Sequence, residues 1–112
     1  MKMERSGIIR SPDVKGRDVV FVHRDTPQVF PQNFPLGMYD KTDGTKVYFE
    51  PEAMEEVCHI LRQRIERQRV TGKSANGKNA TFELIGDRVI VGSWVWKVED
   101  FEETLFLLGY DV

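Results

Sequence analysis

The stretch Thr81-Phe82-Glu83-Leu84-Ile85-Gly86-Asp87-Arg88-Val89-Ile90-Val91 decides the fold. Gly86-Asp87 is a glycine-first pair, suited to a type II′ hairpin turn whose first central residue needs a positive φ. A two-residue loop there sets Leu84 opposite Val89 and Phe82 opposite Val91, so one face of the hairpin is apolar throughout. Such a pair must bury that face against something else. Downstream, Gly92-Ser93 forms a bulge or a turn before a further strand, Trp94-Val95-Trp96-Lys97. A closing helix over residues 99–108 follows, with acidic residues early, Gly109 just past its end, and Phe101, Leu105 and Leu108 as its inward stripe.

Upstream, the clearest element is a helix that starts near Pro51 and runs to about Arg69. Proline fits the first helical position, and Glu52, Glu55 and Glu56 lie near the positive end of the dipole. Met54, Val57, Cys58, Leu61 and Ile65 repeat at helical spacing as an apolar stripe, with Arg62, Gln63, Glu66 and Arg69 facing away. Residues 71–79, with Gly72, Asn76 and Gly77, read as a flexible loop. Before the helix, residues 38–40 and 46–49 flank Asp43-Gly44 as a second hairpin. A strict two-residue loop would oppose Lys41 and Lys46, so a bulged variant competes. Val19-Val20-Phe21-Val22-His23 is apolar on both faces, as a central strand is. Pro27, Pro31 and Pro35 keep residues 25–37 out of helix and ladder. Residues 1–17 suggest a polar arm with one short strand at Ile8-Ile9.

With 112 residues, 40% apolar and 30% charged, the chain suits one globular domain spanning residues 1–112. The expected fold is α+β: an antiparallel sheet of five to six strands with two helices packed on one face. The segments 38–69 and 80–108 both read as hairpin then helix. Their alignment needs a one-residue gap, and shared helix-start chemistry accounts for the likeness.

Cys58 alone excludes an internal disulfide framework and suits a reducing compartment. With no apolar run of signal-peptide or membrane-spanning length, the expected location is the cytoplasm. Asn79-Ala80-Thr81 matches a glycosylation acceptor that a cytoplasmic chain would not use.

Catalytic and cofactor chemistry finds little support. Thr71-Gly72-Lys73-Ser74 resembles the end of a phosphate-binding loop, but Arg67 stands where the motif needs glycine, and the strand and helix come in the wrong order. Cys58 and His59 are helix neighbours that point about 100° apart, so they do not pair as nucleophile and base. One cysteine and two histidines are too few for a zinc site. No catalytic, cofactor-binding or metal residues are therefore expected.

Charge is unevenly spread. From Arg62 to Lys78, six basic side chains (Arg62, Arg64, Arg67, Arg69, Lys73 and Lys78) oppose Glu66 alone, a local +5 on a chain of net charge -2. Residues 97–112 carry a local -4. The basic segment, with the aromatic residues Phe30, Phe34 and Trp94, is the candidate contact surface for an acidic protein partner. The leading expectation is a small binding or regulatory module acting through a protein. A nucleic-acid-binding accessory protein using residues 62–78 is the alternative, and an enzyme whose site assembles only in three dimensions is the third. Unpaired sheet edges would also allow a homodimer.

Overall fold

In a computed structural model of the protein, residues 7–23, 34–74 and 79–112 are described. Strands β1 (Ile8–Arg10), β2 (Val19–His23), β3 (Leu36–Asp40) and β4 (Lys46–Phe49) lead into helix α1 (Pro51–Gln63). Strands β5 (Val70–Ser74), β6 (Ala80–Ile85), β7 (Arg88–Val91) and β8 (Trp94–Lys97) lead into helix α2 (Val98–Leu107). Four strands and a helix thus occur twice. All eight strands pair antiparallel in chain order, and the sheet curls into a half-barrel.

This corrects the expected sheet of five to six strands. The added strand is β5, where glycine and small polar residues suggested a loop. Gly72 is buried inside the curl, and a Cβ there would lie 2.8 Å from Val47 Cγ1 and 2.9 Å from Phe49 Cε1. The glycine marks a close approach between strand and core, not a break in the chain.

The hairpin of β6 and β7 has the expected register, Leu84 opposite Val89 and Phe82 opposite Val91, with Gly86 at φ 59°. Gly92 at φ 60° makes a second two-residue turn, which sets Val91 opposite Trp94. In the hairpin of β3 and β4, Tyr39 rather than Lys41 faces Lys46, so the loop is longer and the like charges do not meet.

Helix α1 is shorter than its apolar repeat suggests. Arg64 adopts the left-handed conformation at φ 55°, and the Ile65 amide donates to Ile60 O at 3.1 Å, closing the helix in a Schellman-type turn. Ile65 therefore leaves the helix and is only half-buried, while Ile60 joins Met54, Val57, Cys58 and Leu61 in the core. Phe101, Leu105 and Leu108 face inward as expected. Around them Phe21, Trp96 and Phe82 pack edge-on or tilted, with ring centroids 5.3–5.9 Å apart.

Residues 11–17, expected to belong to an arm, cover the outer edge of β8. Val14 N–H donates to Val95 O at 2.7 Å, and Val95 N–H donates to Asp13 Oδ2 at 3.1 Å. Trp96 Nε1 donates to Ser11 O at 3.0 Å, and Thr104 Oγ1 on α2 donates to Ser11 Oγ at 3.0 Å. The Asp13 side chain is sealed from solvent. Its Oδ1 also accepts from the amides of Lys15 and Arg17, each at 3.0 Å, and Arg17 Nε lies 3.2 Å from Oδ2. Arg17 in turn donates to Ser93 Oγ and Ser93 O in the turn between β7 and β8.

Burial alone would raise the Asp13 carboxyl. The backbone donors Arg17, Val95 and Lys15, with the Arg17 charge, outweigh burial and hold it below the usual carboxylate range. Because the folded pKa is depressed, the stabilisation is complete above the unfolded value of about 3.9 and is lost as pH falls through the folded pKa. Asp13→Ala should cost about 3 kcal/mol in urea unfolding at neutral pH. Asp13→Asn should flatten the loss of stability below about pH 4. A wild-type acid-stability profile retained in Asp13→Asn would contradict this role.

Candidate partner-binding surface

The basic segment does not stay together in space. Arg62 and Arg64 lie at the end of α1, whereas Arg69 and Lys73 lie on the face of the sheet away from the helices. The division follows from the turn at Arg64, which sends the chain back into β5.

The cations are largely partnered within the chain. Arg64 donates to Leu61 O at 2.7 Å and forms a bidentate pair with Glu102 on α2, the second contact at 3.2 Å. The hydrogen bond from Glu102 raises the Arg64 guanidinium further above its ordinary value. Arg62 donates to Asp111 O at 2.6 Å, Arg69 Nε lies 3.4 Å from Glu83 Oε1, and Lys73 Nζ lies 3.4 Å from Glu50 Oε1. Arg67 is exposed and held at φ 68° by its amide, which donates to Leu84 O at 2.9 Å. The acidic C-terminal segment thus reaches the basic one through Glu102 and the Asp111 carbonyl.

The aromatic candidates separate in the same way. Phe34 and Trp94 are buried, at 2% and 3% exposure. Trp94 Nε1 donates to the buried Asp40 Oδ2 at 3.2 Å, and Phe34 packs with Val20 and Val22. Both therefore support the core rather than a surface. Phe30 and Lys78 lie outside the described residues.

Two grooves flank Arg62. One, of about 580 Å³, is lined by Pro35, Pro51, Met54, Cys58, His59 and Asp111, among others. The second, of about 600 Å³, runs between Leu61, Gln63, Arg64, Glu102 and Val112. Tyr110 pins the chain end beside the first groove, its hydroxyl donating to Pro35 O. One turn after Glu102 on α2, Phe106 stands 67% exposed, and Leu107 is 49% exposed. The inward stripe of α2 already leaves both off the core side, so this feature was legible and was missed.

The chemistry of this surface is that of contact. Among the described residues, no group of three His, Cys, Asp or Glu side chains could hold a metal ion, and no helix is long and apolar enough to cross a membrane. His23 stacks near Tyr110, with ring centroids 5.8 Å apart. No family model, curated protein or solved structure matches the chain.

Burial pushes the Cys58 thiol up; Arg62 works against this and Asp111 adds to it. A thiol held in its neutral form is a poor nucleophile. Cys58 should react slowly with maleimide or disulfide reagents at neutral pH and much faster once urea unfolds the chain. Equal rates in the two states would show an activated or exposed thiol.

Proposed function

We propose that the protein is a non-catalytic binding module that acts through a protein partner, docked across the ends of α1 and α2. The observation that carries this reading is Phe106, a large aromatic side chain standing in solvent beside the Arg64–Glu102 pair. Aromatic and arginine side chains are the commonest energetic anchors of protein interfaces, and a rim of paired charges excludes water around them. The grooves on either side of Arg62 give a partner relief to fill, in apolar surface from Met54, Pro51 and Leu61.

The internal pairing of the basic segment changes what it contributes. Arg62 and Arg64 act as shaped, pre-positioned donors rather than as a free positive patch, so the partner need not be strongly acidic. Exposed charges of this kind tune association rate and orientation more than affinity.

The test is affinity capture from native lysate with the wild-type chain, followed by measurement of the captured protein in purified form. Phe106→Glu should reduce its affinity by about 2 kcal/mol or more, and circular dichroism and urea midpoint should stay at wild-type values. A partner bound equally well by Phe106→Glu would move the contact away from α2.

A further inference from the structure

We infer that the outer face of the sheet, opposite the helices, binds single-stranded nucleic acid along a track of tyrosine and lysine side chains on β3, β4 and β5. This surface is separate from Phe106 and does not depend on it.

Strand register builds the track. Tyr39 on β3 pairs with Lys46 on β4, and two residues further along β4 Tyr48 pairs with Lys73 on β5. All four share the outer face, because the alternating neighbours Met38, Val47 and Gly72 are buried inside the curl. Directly paired residues on a sheet are about 5 Å apart and diagonal ones about 7–8 Å, so the two rings sit within reach of two neighbouring bases of an extended strand. Val20, Val22 and Phe34 support Tyr39 and Tyr48 from one side and leave both partly exposed. A ring held in this way stacks on a base with little ordering cost, and stacking is worth about 1–3 kcal/mol per base.

Charge supplies the second observation. The chain is acidic overall, but its charge is sorted by element. Carboxylates crowd α1 and α2, where Arg62 is the only Lys or Arg, while the outer strand positions carry Lys46, Lys73, Arg88 and Lys97, with Glu83 held by Arg69. Arg88 and Lys97 are themselves a cross-strand pair, and like charges placed side by side favour an anion between them.

The third observation is a hollow of about 350 Å³ lined by Tyr39, Asp40, Lys41, Gly44 and Lys46. It places two ammonium groups beside an aromatic ring at the start of the track. That size lies at the lower end of small-ligand sites and suits one nucleotide unit. A polyanion without bases would use the lysines and leave the tyrosines idle, whereas a single strand uses both. Single-stranded nucleic acid is therefore favoured over an acidic protein.

The test is fluorescence anisotropy of a labelled oligo(dT) of about 20 nucleotides, titrated with the full chain at low salt. Binding should weaken with salt, with a log–log slope near -0.7 per phosphate contacted. Lys46→Glu with Lys73→Glu should weaken it by about tenfold or more and lower the slope by about one per lysine. Tyr39→Ala with Tyr48→Ala should weaken binding and leave the slope unchanged, because stacking releases no counterions. Phe106→Glu should bind the oligonucleotide as wild type does. No anisotropy change up to about 100 μM protein, the weak end of non-specific binding, would overturn the inference. So would polyglutamate competing as well as unlabelled oligo(dT) while the tyrosine variant binds normally, since the face would then be a cationic surface for acidic proteins.

Discussion

The carboxylate of Asp13 ties the beginning of the chain to its last strand. A meander of eight strands has two free edges, and a curled sheet that stops short of closure exposes the backbone of its final strand to any other edge. Here residues 11–17 lie along β8, and Asp13 supplies an acceptor where a neighbouring strand would otherwise provide a carbonyl. Because Ser11 also receives Trp96 and Thr104, the same short segment locates β8, α2 and the aromatic centre of the core together. The curl, and with it the room for two helices inside, depends on this join.

Filling the curl with helices determines what the protein can show to others. Their inward stripes are spent on the core, so the exposed parts of α1 and α2 are mainly acidic, with Phe106 and Leu107 as apolar exceptions. The convex sheet surface becomes the basic side. Within roughly 10 Å, the screening length at moderate salt, each side presents its own sign of charge to an approaching molecule. A net charge of -2 conceals this division.

Local chemistry was readable from the residues; long-range placement was not. The Gly86-Asp87 turn, the start of α1 at Pro51 and the inward stripe of α2 each depend on neighbours within a few positions. Gly72 carries the same composition signal as a loop glycine, and only the approach of Val47 and Phe49 from another strand makes it a strand residue. Arg64 ends α1 without a glycine because Leu61 O and Glu102 hold its side chain, a contact across 38 residues of chain. The basic and acidic segments were each visible in the sequence, but their pairing appears only when α2 lies against α1. Trp94 reads equally well as an anchor or as core until Asp40 takes its indole N–H. Asp13, one acidic residue in a polar segment, gave no local sign of its role.

The closure is tested most directly by amide hydrogen exchange at Val14 and Val95, the two N–H groups that join the first loop to the last strand. If the join holds the curl together, both amides exchange as slowly as those in the centre of the sheet, at β6 and β7, and both become fast in Asp13→Ala. Rapid exchange of Val14 and Val95 in the wild-type chain, with β6 and β7 still protected, would show that the sheet keeps its curvature without the Asp13 join.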